Sequence, residues 1–512
     1  MKVINAARAL RALAPYALMV AGVLALCSPL MAQQHAAGAA ARDPRFEPVR
    51  ALIERTIRED GVASVAVSVA QRGQFIWEEG FGWADRERRI AATAHTPYST
   101  ASISKPVTAT AIMILAERGS LDIERPANAY LAPGGLMRVY EGRAEDATVR
   151  RVLSHTAGLP LHYQFFYEDG GYAPPAADVS IHRYAAIVHP PGARYVYSNI
   201  GYGVLDRIIE RVSGRSYGDF LLREVFVPLG MHRSSVGIRR GLEPYTAARY
   251  GTRQERLPFY EFDHPGGSAV YASAHDLVRF GLFHMGTPLA DQRAILRPET
   301  RTAMQRIETP PGSPRGYGLG WIVTEDYGGY RQVAHSGGMP GVSTQLQLYP
   351  DAQLAIAVVT NSSGGRAARI ADAIAAALLP DFRRPEPQQP QEPPPLQPPA
   401  ALIGTWVGRV GTYAGETPLR LHVRADGAVH VRLGDGLETL VNRSRLENGI
   451  FRGEFLGTMP TPDAQRHPHT MQLELALARD TLRGSVSAVS TTDPIHFALS
   501  AHVALVREAA RN

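Results

Sequence analysis

Between Pro385 and Pro399, eight of fifteen residues are proline, and most of the others are Gln or Glu. Proline fixes φ and has no amide N–H, so neither a helix interior nor a sheet ladder runs through such a stretch. It reads as an extended polyproline spacer, and it divides the chain into parts of different periodicity. Beyond it, residues 401–508 alternate in period two, as in Leu419/Leu421/Val423, Val429/Val431/Leu433 and Leu473/Leu475/Leu477, with Asp426-Gly427 as a hairpin turn. This predicts a small all-β domain over 401–510, an up-and-down barrel or a sandwich. Residues 381–400 form the linker, and the domains on either side of it are expected to be separable.

The larger part, 45–380, mixes helical and strand patterns. Phe46, Val49, Leu52, Ile53 and Ile57 fall at helical spacing and stop at Gly61. Val65, Val67 and Val69 alternate as a strand, followed by a turn at Arg72-Gly73. Residues 120–290 are mostly helical, with Ile200 to Val212 as one amphipathic helix and Ser273-Ala274-His275-Asp276 as a capping box. From Gly316 strands return, at 321–324, 330–336, 343–349 and 354–360, before a last helix carrying Ile370, Ile374 and Leu378.

The first 32 residues read as a secretory signal. Lys2, Arg8 and Arg11 precede an apolar run from Leu13 to Leu26, and Leu30-Met31-Ala32 offers a cleavage site. That run is too short for a membrane span, and no later segment is apolar enough for one. Cys27, the only cysteine, lies inside the leader after Leu26, where a lipoprotein signal wants a small residue. Export, with a periplasmic location, is expected; residues 33–44 read as a disordered leader. The formal charge of +6 falls to +3 without Lys2, Arg8 and Arg11. Both signs are interspersed with no basic block, which argues against nucleic-acid binding.

Lysine occurs twice against 52 arginines, at Lys2 and Lys105. Lys105 is thus the only lysine outside the leader. Arginine is a fixed charge with a pKa above ~12, whereas a lysine amine can be tuned to lose its proton and act as a base. Ser102 stands three residues earlier, and on a helix i and i+3 share a face. The pattern Ser102-x-x-Lys105 is that of a serine nucleophile beside its proton acceptor, placed at a helix start where N–H groups favour developing negative charge. Two further motifs follow. Tyr197-Ser198-Asn199 precedes the Ile200 helix, and His335-Ser336-Gly337, followed by Gly338, lies on a strand. A tyrosine near a cationic group can have a lowered pKa and serve as acid or base. An Asn amide can bond both a substrate amide and a lysine amine.

In this order and spacing the motifs resemble the serine β-lactamase and penicillin-binding-protein superfamily. They are most similar to the class C β-lactamase-related hydrolases, which include D-alanyl-D-alanine carboxypeptidases, D-aminopeptidases and esterases. Supporting segments are Leu153 to Pro160, Tyr195 to Tyr202, Pro228-Leu229-Gly230-Met231, Tyr317 to Trp321 and His335 to Gly341. The resemblance implies an α+β catalytic domain, with an antiparallel sheet flanked by helices plus a helical region. It implies Ser102 as the acylated nucleophile, with Lys105 and Tyr197 moving its proton. Asn199, His335, Ser336, Gly337 and Gly338 would bind substrate, with the N–H groups of Ser102 and Gly338 as the oxyanion hole. The tail, opening Leu402-Ile403-Gly404-Thr405-Trp406, resembles the lipocalin-like domain of some members, with Trp406 as a core anchor.

His335 stands where class C β-lactamases have lysine. A histidine is a pH-dependent partner for a substrate carboxylate, and the departure argues against efficient β-lactamase action. The expected activity is that of an exported serine hydrolase acting through a Ser102 acyl-enzyme on amides or esters, D-amino-acid peptides or related small compounds first. A class C-like β-lactamase or carboxylesterase is the rival within the class. A non-catalytic penicillin-binding sensor is the rival outside it. No cofactor or metal is expected: there is no H-E-x-x-H, Walker or dinucleotide fingerprint, and His467-Pro468-His469 lacks further ligands nearby. His155 reads as structural.

Overall fold

The computed structural model describes residues 43–131, 137–313, 315–385, 394–492 and 495–509. The leader, residues 33–42 and the centre of the Pro-rich run lie outside the described residues.

The first sheet is built from helix-flanked strands at both ends of the 45–380 segment. After helix α1 (Glu47–Glu59), strands β1 (Ser64–Gln71) and β2 (Gln74–Asp85) form a hairpin. Helices α2 (Ser104–Glu117), α3 (Asn199–Ser213) and α4 (Ala274–Met285) follow, with strands β3 (Tyr163–Tyr167) and β4 (Tyr260–Phe262) among them. The chain then returns with β5 (Ile322–Tyr327), β6 (Tyr330–Met339), β7 (Val342–Tyr349) and β8 (Leu354–Thr360), closed by helix α5 (Ala367–Leu378). The antiparallel order is β5-β6-β7-β8-β1-β2, ending on a short strand at Ile90–Ala91.

The two central strands are covered on both faces. All of β8 and all but the last residue of β1 are buried, so Ala66, Ser68 and Ala70 are as enclosed as the valines between them. That is why the alternation read from the valines does not separate an inside from an outside face. Helix α4 packs on the face carrying Leu346, Leu348 and Ala355. Helix α5 covers the other face, where Gln347 Nε2 donates to Asp372 Oδ1 at 2.9 Å. Helix α2 packs against α3 and buries twelve of its fourteen residues. The box at Ser273 is half formed. Ser273 Oγ accepts from the Asp276 N–H at 3.1 Å, but the Asp276 carboxylate turns to the Arg233 N–H and Ser234 hydroxyl instead.

The tail is a nearly closed barrel-like sheet. Its strands are β9 (Gly404–Thr412), β10 (Gly415–Val423), β11 (Val429–Leu433), β12 (Thr439–Leu440), β13 (Asn442–Glu447), β14 (Ile450–Phe455), β15 (Thr470–Ala478), β16 (Thr481–Thr492) and β17 (Ile495–Arg507). They are ordered β12-β11-β10-β9-β17-β16-β15-β14-β13. Trp406 is fully buried and donates to the Leu402 carbonyl at 2.9 Å. At the described end of the Pro-rich run Leu396 is buried too.

The tail does not stand apart from the catalytic region. Both belong to one compact unit that starts at Ala51. Strand β17 pairs along its length with β16, while its other edge is divided: β9 takes Gly411 to Trp406 opposite His502 to Arg507, and β3 takes Phe497 and Ala498. Strand β3 in turn pairs with β4. Arg194 and Glu474 form an ion pair at 2.9 Å, and Ser500 Oγ donates to the Leu161 carbonyl. The Pro-rich sequence shows a composition change, but nothing in it reports these long-range pairings. Ending the chain at Pro380 should therefore lower the melting temperature by a few degrees or more, because it opens an edge of β3 and leaves Arg194 without Glu474. Thermal melts of the full and shortened chains check this; equal melting temperatures would show two independent domains.

Candidate active site

Ser102 lies one turn ahead of α2, in a 3₁₀ turn at Ala101–Ile103, rather than in the α-helix itself. Ala101 has a left-handed φ of 48°, a conformation that costs a non-glycine residue energy and persists only where neighbours enforce it. One enforcing neighbour is β6. A Cβ on Gly337 would stand 2.2 Å from the Thr100 carbonyl oxygen and 3.0 Å from Ala101 Cβ, so only glycine lets the strand approach the turn this closely.

Lys105 comes from the first turn of α2 and is fully buried. Its Nζ lies 3.2 Å from Ser102 Oγ, 2.7 Å from Asn199 Oδ1 and 3.0 Å from the Gly267 carbonyl oxygen. No carboxylate is among these partners, and burial holds the amine well below the ordinary lysine pKa. Asn199 opens α3, whose N-cap Ser198 accepts from the Gly201 N–H at 3.2 Å. Tyr197 hydrogen-bonds Ser102 through its hydroxyl, and its ring lies 4.7 Å from Lys105 Nζ. The lowered tyrosine pKa expected from the sequence is not found. Burial raises the Tyr197 phenol far above its usual value, against the smaller opposing effect of the Ser102 bond. Lysine and tyrosine are thus both driven toward their uncharged forms.

His155 supports this arrangement from below. It is buried, its Nδ1 accepts from the Ser198 N–H at 3.1 Å, and its ring packs 4.4 Å from that of Tyr197. Under the Gly267 carbonyl lies a second buried group, in which His162 and His264 both bond the Asp263 carboxylate, at 2.8 and 2.7 Å. A Cβ on Gly267 would lie 3.1 Å from His264 Cδ2.

The strand motif is divided by its own alternation. Gly338 borders the cleft together with Ser102 and Asn199. Gly337 packs on the nucleophile turn. Ser336 shares the face of Gly338 and lies among Gln345, Gln347 and Ala368. His335 shares the face of Gly337. It is buried, Nδ1 donates to the Ser336 carbonyl at 2.8 Å, and Nε2 accepts the Tyr317 hydroxyl at 3.0 Å. Burial first, and then the nearby Lys105, push its pKa down to about 3. Both effects favour the neutral imidazole over the imidazolium that a carboxylate would pair with.

The cleft holds about 700 Å³. Beside Ser102, Asn199 and Gly338 it is walled by Tyr163 and Phe165 of β3, by Arg366, and by Thr491 and His496 from the barrel. Arg366 pairs with Asp60 at 2.7 Å. The barrel residues carry no motif, and the β3–β17 pairing helps to bring them to the cleft.

The fold and this serine–lysine–tyrosine arrangement define a serine hydrolase of the β-lactamase and penicillin-binding-protein type. The Beta-lactamase family model matches residues 49–379, and the chain belongs to that family. It is 28% identical over 328 residues to penicillin-binding protein 4* of Bacillus subtilis (strain 168), covering 60% of this chain and 70% of that protein. The crystal structure of SurE superposes with a TM-score of 0.58 at 24% identity, over 91% of this chain and 99% of SurE. A class C β-lactamase superposes with a TM-score of 0.56 at 19% identity, over 67% of this chain and 98% of its own. The first of these structural likenesses extends over the barrel as well as the catalytic region.

The His335 environment fixes a pH response. The folded imidazole stays unprotonated down to about pH 3, while the unfolded one takes a proton below its usual 6.5. The unfolded state then binds more protons, so this group withdraws stability as pH falls from 6.5 toward 3. Denaturant unfolding at pH 7 and pH 4 should show a smaller loss for His335→Gln than for the parent. The same loss in both would place the imidazole in water.

Proposed function

We propose that the chain is an exported serine hydrolase that forms an acyl-enzyme at Ser102 on small amide or ester substrates, D-amino-acid peptides and related compounds first. The observation that carries this is the buried Lys105 amine set against Ser102 Oγ with Asn199 and Gly267 as its other partners. An uncharged amine has two N–H donors and one lone pair. The donors satisfy Asn199 Oδ1 and the Gly267 carbonyl, which leaves the lone pair facing the Ser102 hydroxyl.

In this reading Ser102 Oγ attacks the substrate carbonyl, and its proton passes to Lys105. The oxyanion is held by the N–H groups of Ser102 and Gly338, a contribution of about 3–4 kcal/mol per donor. As the bond from carbonyl carbon to the leaving nitrogen or oxygen breaks, Tyr197 gives its proton to the leaving atom and recovers one from Lys105. Water then attacks the acyl carbon as its proton passes by way of Tyr197 to Lys105, and as the acyl–Oγ bond breaks that proton is returned to Oγ, releasing the acid and free Ser102. A neutral phenol with a raised pKa is a proton donor suited to a leaving amine.

The cleft supports a small or short-chain substrate: 700 Å³ lies within the range of small-molecule sites. SurE has been crystallised with D-Leu, and the D-amino-acid reading takes that ligand as its pattern. The neutral His335 removes the cation that a β-lactam carboxylate would meet at this strand position. This favours substrates without a free carboxylate at that position, such as esters and amides, over β-lactams and peptides that carry one. Export to the periplasm rests on the charged and apolar pattern of residues 1–32, and N-terminal sequencing of recovered protein, starting at Gln33, is its test.

Two linked measurements test the chemistry. A fluorophosphonate or penicillin probe should add once, on the peptide carrying Ser102. Lys105→Arg keeps a charge but cannot accept the serine proton, so acylation should slow by about 10²–10⁴-fold. An adduct on another serine, or a folded Lys105→Arg chain acylating within about threefold of the parent, would overturn the assignment. Turnover of p-nitrophenyl esters, D-Ala-D-Ala peptides and a chromogenic cephalosporin then separates the substrate classes. Binding without turnover of any would favour a sensor.

A further inference from the structure

Three residues from separate stretches of chain meet at the surface away from the cleft. Glu78 comes from β2, His95 from the turn before Tyr98, and His275 from the first turn of α4. Each brings one ligand atom to within 4.8 Å of the others, and none borders the cavity that holds Ser102.

The group is organised. His275 Nδ1 lies 2.8 Å from Glu78 Oε1. Ser68, buried on the neighbouring strand, donates to the same oxygen at 2.9 Å. Phe75 stacks on the His275 ring with centroids 4.6 Å apart and planes 13° apart. The His95 ring lies 4.5 Å from that of His275. The backbone joins the two segments, with the His275 N–H donating to the Ala94 carbonyl at 3.1 Å. Burial pushes the Glu78 carboxyl up, but His275 and then Ser68 outweigh it and hold the group below its ordinary pKa.

We propose that Glu78, His95 and His275 form a binding site for one divalent transition-metal ion, with Zn²⁺ as the ion these donors suit. Two imidazoles and a carboxylate are a zinc donor set, and three protein ligands leave a fourth tetrahedral position for water. Calcium and magnesium favour all-oxygen sites and fit two imidazoles poorly. The Ser68 hydroxyl supplies the outer hydrogen bond that aims the carboxylate, and Phe75 fixes the plane of the His275 ring. On binding, the His275 proton moves from Nδ1 to Nε2 by way of solvent, so that the neutral imidazole turns its Nδ1 lone pair, and Glu78 its Oε1, to the metal. The ion would pin β2 and α4 to the segment that runs through Tyr98 and Ser99 into the Ser102 turn. The proposal does not depend on the acyl-enzyme reading, because it concerns stability and metal content.

The test uses the full chain without an affinity tag. Zinc titration should give one equivalent per chain and a raised melting temperature, and Co²⁺ should give the visible absorption of a low-coordinate site. His95→Ala and Glu78→Gln, the second chosen to preserve shape, should each bind at least about tenfold more weakly and lose the cobalt spectrum. They should melt like the parent without metal. A chain carrying His467→Ala and His469→Ala, a histidine pair on the barrel, should bind like the parent. No retained zinc in the parent, or unchanged binding in His95→Ala and Glu78→Gln, would overturn the site.

Discussion

The buried Lys105 amine is the constraint around which the catalytic region is arranged. Removing an ammonium from water without a carboxylate partner is costly, and the group sheds its proton instead. The fold supplies Asn199 from the start of α3 and the Gly267 carbonyl from the turn beneath it, both able only to accept from the amine. Everything that fixes those two acceptors therefore also fixes the direction of the lysine lone pair. Ser198 caps the helix that presents Asn199, His155 holds the Ser198 N–H, and the His162–Asp263–His264 group underlies the Gly267 turn.

The same desolvation extends outward. Tyr197, Tyr202, Tyr317, His155 and His335 are all pushed by burial toward their neutral forms. The wall behind the nucleophile is consequently polar in hydrogen bonding yet nearly without charge. Charge that appears at the substrate during reaction meets fixed dipoles there, a form of stabilisation that needs no rearrangement at the moment of reaction.

Legibility in the sequence followed contact order. Ser102 and Lys105 are three residues apart, so one helix turn was enough to join them. The Tyr197-Ser198-Asn199 motif precedes a strongly periodic helix, which placed its residues correctly at the helix start. The strands from β5 to β8 and the barrel were visible as alternation, and Trp406 as an anchor. What could not be read were properties set by distant parts of the chain. The charge state of His335 depends on burial and on the nearby Lys105, neither visible at position 335. Thr491 and His496 could not be seen as cleft residues, since contacts between distant parts of the chain, the pairing of β17 with β3 among them, bring them there.

That pairing also bears on how such a chain diversifies. The residues that handle the proton are enclosed and mutually dependent, so almost any change among them is felt by the others. The opposite wall of the cleft hangs from a hairpin that takes no part in that network. Selection can reshape the barrel side residue by residue, altering which molecules fit, while the reaction itself is inherited unchanged.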